Sequence, residues 1–342
     1  MTRDHTFHPV RVTRVVDETA DARSFVLDVP DGLRTAFAYD AGQFCTFRVV
    51  VDGQPHFRCY SMSSAPALDA DLQVTVKRVP NGAVSNWMID HIAPGDTVDV
   101  TSPAGVFRLA PGDGDIVAFA AGSGITPVFS LLKTALVCTS RRIHLLYANR
   151  DQDAVIFGSE LDELAAAHGE RCAIVHHLDV DHGFVDADSI RSVTATLRDP
   201  DFYVCGPAPF MDIVEQTLLI DGARPERIHI ERFTPDETVT ISPPDATSAD
   251  GTRVTIELDG RTEVTEHRAG TSILQTARQV GMSPPFSCES GNCATCMARV
   301  VEGSVSMHVN NALTPEEVDE GWVLTCQSVP TTPTVHVVYG FD

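Results

Sequence analysis

Lysine is almost missing from this chain. Only Lys77 and Lys133 occur in 342 residues, and every other basic residue is arginine. That is a coding preference without functional content. Positive charge as a whole is short: 25 Lys and Arg stand against 47 Asp and Glu, a formal net charge of −22. Nucleic acid and anionic membrane surfaces repel such a chain. A basic protein partner and a merely solvated acidic surface both stay open. No run of about 20 apolar residues occurs, so no membrane insertion is expected. Met1–Asp17 is polar and charged, unlike a secretory leader. A cytoplasmic location follows. Aromatics are scarce at 7%, but 43% apolar residues can still build ordinary globular cores. The length suggests two to three domains.

Cysteine is not short: there are nine. Cys288, Cys293 and Cys296 have the spacing C-x4-C-x2-C, and Cys326 follows at a distance. That is the ligand pattern of a plant-type [2Fe–2S] cluster. Each iron takes a tetrahedron of sulfur, so two bridging sulfides leave four places for thiolates. Ser290, Gly291, Asn292, Ala294 and Thr295 are small, which lets backbone N–H groups approach the sulfides and stabilise the reduced charge. A zinc site more often shows paired C-x2-C halves. A disulfide framework suits a short secreted chain. The other five (Cys45, Cys59, Cys138, Cys172, Cys205) read as reduced, mostly buried thiols.

Three rhythms follow one another. Up to about residue 108, alternating runs at Val10–Val16, Ser24–Val29, Gln43–Val51, Phe57–Met62, Leu72–Val79 and Thr97–Thr101 read as strands of a small antiparallel barrel. A short helix is expected at Ser85–Ile92. From about Asp115, strands alternate with helices: Ile116–Ala120, Val128–Val137, Ile143–Tyr147, Glu160–Ala167, Ala173–His177, Ala187–Thr196, Phe202–Cys205, Pro209–Ile220 and Arg227–Glu231. This is the pattern of a doubly wound α/β parallel sheet. Residues 235–250, rich in Pro, Asp, Ser and Thr, read as a linker. In the remainder, Thr252–Leu258 and Arg261–His267 form a hairpin about Asp259-Gly260. Ser272–Val280 is a helix stopped by Gly281, and Val335–Tyr339 is a strand.

Two motifs carry further chemistry. Arg58-Cys59-Tyr60-Ser61 ends a barrel strand. Val76-Lys77-Arg78, Gly82, Val84 and Ser85 open the short helix. A flavin needs an aromatic face, a hydroxyl near its N5, and an arginine and a helix N-terminus for its phosphates. Standing alone, Arg58 reads equally as a surface arginine and Tyr60 as a half-buried core aromatic. Gly122-Ser123-Gly124-Ile125-Thr126-Pro127 lies between a strand and a helix, where glycines let the backbone approach a pyrophosphate. A tight turn without ligand is the plainer alternative. Cys205-Gly206-Pro207 ends another strand on the same ligand-binding edge; Cys205 reads equally as a plain buried thiol.

Through these motifs taken together, the chain resembles the ferredoxin–NADP reductase superfamily carrying a C-terminal plant-type ferredoxin domain. The likeness runs to reductase components of Rieske-type oxygenases, of the 3-ketosteroid 9α-hydroxylase type in particular, and of phenylacetyl-CoA epoxidases. It is carried by Arg58–Ser61, Gly82–Ser85, Gly122–Pro127, Tyr147–Asp151, Cys205-Gly206-Pro207 with Phe210-Met211-Asp212, and the four cysteines. It implies a Greek-key FAD barrel over 1–110, an NAD(P)-binding α/β domain over 111–234, and an α+β β-grasp [2Fe–2S] domain over 251–342. It implies a reductase passing electrons from NADH through FAD and the cluster to a separate terminal oxygenase acting on a steroid, aromatic or similar apolar compound. A di-iron partner, such as a fatty-acyl desaturase or acyl-CoA epoxidase, is the alternative. A sensor or carrier without turnover is a weaker one.

The same resemblance assigns roles. Tyr60 packs on the flavin ring, Ser61 faces N5 and Arg58 binds the FAD phosphates. Cys59, Val76, Lys77, Gly82, Val84 and Ser85 line the rest of that cofactor. Gly122, Gly124, Thr126, Pro127, Cys205, Gly206 and Pro207 border the nicotinamide and pyrophosphate. Asn149, Arg150 and Asp151 meet the adenosine ribose, and Phe233 covers a flavin face. Tyr60, Ser61 and Cys205 stand nearest the chemistry. Cys288, Cys293, Cys296 and Cys326 ligate the cluster. Two positions depart from the family pattern. Glu289 stands where a basic residue is common, which leaves the charge of the docking surface open. Ala294 stands where glycine is common.

Overall fold

The computed structural model describes residues 6–194, 197, 199–233, 251–286, 288, 289, 291 and 293–340. The expected linker 235–250 and the loop residues Ser290 and Asn292 lie outside them.

The alternating N-terminal runs form β1 (His8–Thr19), β2 (Ala22–Asp28), β3 (Phe44–Val51), β4 (Gln54–Ser61), β5 (Leu72–Lys77) and β6 (Thr97–Val100). They pair antiparallel in the order β4-β3-β6-β1-β2-β5. A bridge between Met62 and Val74 joins the two ends and closes the sheet on itself. Period-two alternation puts Val10, Val12, Phe25, Leu27, Phe47, Val74 and Val76 inside, all buried. Helix α1 (Ala83–His91) adds Met88 and Ile89 to that core.

The second rhythm gives β7 (Ile116–Ala121), α2 (Ile125–Cys138), β8 (Ile143–Asn149), α3 (Gly158–His168), β9 (Cys172–Leu178), a single-turn α4 (Asp179–His182), α5 (Ala187–Thr194), β10 (Asp201–Gly206), α6 (Ala208–Ile220) and β11 (Ile228–Arg232). The strands are parallel, in the order β11-β10-β7-β8-β9. Every residue of β7 is buried, because helices cover both faces. Ala118, Ala120 and Leu145 pack with Val128, Leu131 and Leu132 of α2. Val117, Phe119 and Leu146 pack with Met211, Val214 and Leu218 of α6.

The third sheet follows from β12 (Arg253–Leu258), β13 (Arg261–Glu266), α7 (Ile273–Gln279), β14 (Met297–Glu302), β15 (Val305–Met307), α8 (Pro315–Asp319), β16 (Trp322–Leu324), β17 (Ser328–Pro330) and β18 (Thr334–Val338). Its order is β13-β12-β18-β14-β16, with β12 and β18 parallel. Asp259 and Gly260 have φ of +51° and +74°, as a two-residue hairpin turn of this hand needs. A reciprocal cap between Ser272 and Gln275 starts α7. The elements β14 to β17 and α8 were not expected from sequence. Most are three to five residues long, too short to display a period.

One buried side chain locks the first two sheets together. Arg141 and Asp201 each expose 1% of their side chains and pair with one another. The same guanidinium donates to the carbonyls of Ala110, Gly114 and Asp115, on the connection between barrel and parallel sheet. Arg141→Met is expected to cost about 3 kcal/mol, the lower end for removing one member of a buried pair. Arg227 still faces Asp201 at 2.7 Å and softens the loss. The midpoint of chemical denaturation measures it.

Candidate functional site

Strand β4 opposes β3 with Phe47 facing Arg58, Thr46 facing Cys59 and Cys45 facing Tyr60. Tyr60 shares the barrel side with Phe47, its ring edge-on at 5.5 Å. Arg58 donates to the Phe57 carbonyl at 2.7 Å. Burial pulls its proton affinity down, with Tyr60 and Cys59 opposing. An arriving phosphate offsets such a cost. The Ser61 hydroxyl is buried and has no hydrogen-bond partner. A buried orphan of this kind calls for one, and the edge of a flavin ring would supply it.

The remaining barrel residues divide. Val76 and Val84 are in the apolar core, so only their backbone can face a cofactor. The Ser85 hydroxyl accepts from Val79 N–H at 3.1 Å, which commits it to the turn before α1. Gly82 caps α1 without a side-chain bond, leaving the first N–H groups open to an anion. Lys77 reaches across to the second sheet: a Cβ on Gly122 would lie 3.7 Å from its Nζ.

At the C-terminal edge of the parallel sheet, the two glycines of the first turn differ in purpose. Gly122 has φ of +52°, and only the flexible end of Lys77 lies within 4 Å of where its Cβ would be. Gly124 is buried, and a Cβ there would strike the Cys205 carbonyl oxygen at 2.1 Å. Its small size lets one turn pack directly on the other. The Thr126 hydroxyl donates to the Ser123 carbonyl at 3.0 Å, and Pro127 is buried in the first turn of α2. Tyr147, unmarked as a support in the sequence, donates to the Gly122 carbonyl at 3.1 Å and props the turn. Pro207 caps α6 directly after Gly206.

Cys205 is fully buried, and burial together with Glu231 keeps it a neutral thiol. Glu231 opposes it on β11. Sequence reasoning missed Glu231, whose strand has no motif. Burial, with the Cys288 sulfur, pushes its carboxyl up to about 8. Phe233 is half-buried and packs on the α2-side core. At the end of β8, Asn149 is buried with no well-formed hydrogen bond to its amide. Arg150 pairs with Asp151 at 2.7 Å, and the other Asp151 oxygen accepts from Ala154 N–H at 3.0 Å. The Arg150 guanidinium holds that carboxyl below its usual range.

The four expected ligand cysteines are all buried. They associate two and two: Cys288 with Cys293, and Cys296 with Cys326. Among the described residues no three His, Cys, Asp or Glu close on a single point. A binuclear cluster, with two thiolates per iron, fits that division. Ala294 has φ of +57°, a conformation costing about 1 kcal/mol in a residue with a Cβ; glycine avoids that cost. Glu289 also has positive φ, at +50°. Its carboxylate does not stand free on a docking face. Arg278 holds it through both oxygens at 2.9 and 3.0 Å, while lying 3.8 Å over the Phe286 ring. Gln327 donates to its carbonyl at 2.8 Å.

The three sheets meet here. Cys288 and Cys293 pack with Phe44 and Ala104 of the barrel and against Cys59. The cluster loop therefore lies on the strand that carries Arg58, Tyr60 and Ser61.

Comparison with known proteins decides the family. Three family models match in succession: an oxidoreductase FAD-binding domain over 9–109, an oxidoreductase NAD-binding domain over 119–216, and a 2Fe-2S iron-sulfur cluster binding domain over 256–331. The ferredoxin reductase component of 3-ketosteroid-9-alpha-monooxygenase from Rhodococcus rhodochrous is 41% identical over 94% of this chain and 93% of its own. The chain belongs to the FAD, NAD and [2Fe–2S] reductase components of oxygenase systems. A component of 1,2-phenylacetyl-CoA epoxidase from Escherichia coli is 35% identical to this reductase, over 98% of each. Phthalate dioxygenase reductase shares its fold, with a TM-score of 0.62 and 24% identity over 97% of this chain and 98% of that one. No helix among the described residues is long and apolar enough to cross a membrane.

Arg278→Met keeps a stem over Phe286 and leaves Glu289 unpaired beside the thiolates. The loss of a charged, paired hydrogen bond is about 2 kcal/mol. Iron release to a chelator is expected to accelerate, followed by bleaching of the cluster's visible absorption.

Proposed function

We propose that this reductase draws its electrons from NADH and delivers them to a separate Rieske-type oxygenase acting on a steroid, aromatic or similar apolar compound. The observation that carries the electron path is the packing of Cys288 and Cys293 on Phe44, Ala104 and Cys59. When bound, the flavin and the cluster supply the conversion of a two-electron hydride into single electrons. The chain's own residues position and shield. Tyr60 offers a ring face, Ser61 an orphan hydroxyl, Arg58 and the open start of α1 an anion site. Gly122, Asn149 and the turn around Cys205 line the dinucleotide edge. Glu231, opposite Cys205, joins that edge from β11.

The 41% identity to a component named for a ketosteroid monooxygenase supports the choice of partner. The relative named for an epoxidase supports the second reading, a reductase feeding an acyl-CoA epoxidase or fatty-acyl desaturase. A neighbouring gene encoding a C-x-H…C-x2-H protein favours the first. A sensor without turnover is disfavoured by the complete flavin and dinucleotide motifs.

Two experiments test the reading. Cys293→Ser is expected to abolish cytochrome c reduction while NADH–ferricyanide activity persists, because ferricyanide takes electrons at the flavin. Equal loss of both refutes the order of electron flow. For the coenzyme, Asp151 and Asp153 repel a 2′-phosphate, and Arg150 is occupied by Asp151. Steady-state kinetics should give a higher kcat/KM with NADH than with NADPH. Asp151→Ala, which frees Arg150, should narrow the gap several-fold. An NADPH preference in the unmodified protein overturns the assignment.

A further inference from the structure

Beyond β8 the parallel sheet has one more strand, β9, whose C-terminal end lies on the same edge as the dinucleotide turns. There the chain makes a short, tightly held loop. Val180 N–H donates to the Arg150 carbonyl at 3.1 Å, so α4 sits directly against the end of β8. Gly183, at φ of +73°, reverses the chain, and the His177 ring donates to its carbonyl at 2.8 Å. Val185 packs on the α6-side core, and Asp186 holds the start of α5 by accepting from Ser189 N–H at 2.9 Å. Between these fixed points stands Phe184. It is the most exposed large apolar side chain among the described residues, at 87%. The exposure of one aromatic is ordinary by itself; its place on the ligand-binding edge is not.

We propose that Phe184 is the platform on which the adenine ring of the bound dinucleotide stacks. The inference rests on the reading of Asn149, Arg150 and Asp151 as the ribose-binding end, and extends it by one strand. On that reading Gly122, after β7, meets the pyrophosphate, and the residues after β8 meet the adenosine ribose. Neighbouring strands are about 4.8 Å apart. A ligand that crosses the end of β7 and then of β8 brings its base to the end of β9, where Phe184 stands. An adenine has two flat faces to shield from water, and an aromatic side chain offers one of them an offset stacked contact. A platform whose backbone is pinned on both sides loses less freedom on binding than a loose loop. Adenine is uncharged, so Asp179 and Asp181 on α4 do not oppose it. Phe184 thus touches the coenzyme at the end farthest from the hydride, and sets affinity rather than the rate of transfer.

The test uses the full-length holoprotein with ferricyanide as acceptor. ADP-ribose, a competitive inhibitor that keeps the adenine and lacks the nicotinamide, reads binding at this end. Reduced nicotinamide mononucleotide, which has no adenosine, reads the other end. Phe184→Ala should raise the KM for NADH and the inhibition constant of ADP-ribose together, each about tenfold, with kcat at saturation unchanged. The kinetics with reduced nicotinamide mononucleotide should not move. Phe184→Trp should keep tight binding. Phe184→Leu, apolar but without a flat face, should behave like the alanine variant. An unchanged inhibition constant in Phe184→Ala overturns the proposal. So does an equal loss with reduced nicotinamide mononucleotide, which marks a disturbance of the whole edge. Full binding in Phe184→Leu overturns it as well, since apolar cover then suffices. If the unmodified chain prefers NADPH, the coenzyme reading fails by itself: Phe184→Ala weakening NADH and NADPH alike still supports the platform, and weakening neither overturns it.

Discussion

The cluster loop sits directly on β3 and β4, and the rest of the molecule is arranged around that contact. Electrons leave a flavin one at a time only if the next centre is near. Three sheets must therefore bring one edge each to the same place. The barrel contributes Phe44, Thr46, Cys59 and Ala104; the parallel sheet contributes Glu231 beside Cys288; the third sheet contributes the loop itself. Behind these edges, Ala22, Ala41 and Phe107 of the barrel region join the core under α2, while the third sheet keeps a core of its own. The task of these cores is to hold short loops still.

Rigidity at this junction comes from main chain as much as from side chains. Gly124 lies against the Cys205 carbonyl, so the two dinucleotide turns are backbone on backbone. Tyr147 braces one of them from below. In the cluster loop, Glu289 and Ala294 adopt positive φ without being glycine. Arg278 and Gln327 secure the first of these from two sides. Such strain persists only where surrounding contacts determine it, and that is common where geometry has to be fixed in advance.

Much of this was legible in the sequence, for reasons that can be named. Strands such as Phe44–Val51 alternate, Ile116–Ala121 is continuously apolar, and Asp259-Gly260 can only turn one way. The cysteine spacing announces its chemistry because cluster geometry is rigid. What could not be read is long-range. Thr46 and Thr295 are 249 positions apart, and nothing local to either marks the other. Glu231 is an acid in a strand without a motif. Glu289 reads as a free surface charge until Arg278 is placed over it. The glycine of Gly122 and that of Gly124 look alike in a motif, yet one meets the end of a flexible lysine and the other a carbonyl. Short strands such as Val305–Met307 leave no period to detect.

The contrast between the two ends of the dinucleotide edge bears on how such a protein can change. At one end, Gly124 and the Cys205 carbonyl leave no room for a single added carbon. At the other, Arg150 exposes 69% of its side chain and is held by one neighbouring carboxylate. Substitution at the first end disturbs the sheet itself. Substitution at the second alters only a surface ion pair. On the proposed reading, coenzyme choice is a trait that drift or engineering can revise at little structural risk, while the end that would hold the hydride-donating nicotinamide is held under lasting constraint.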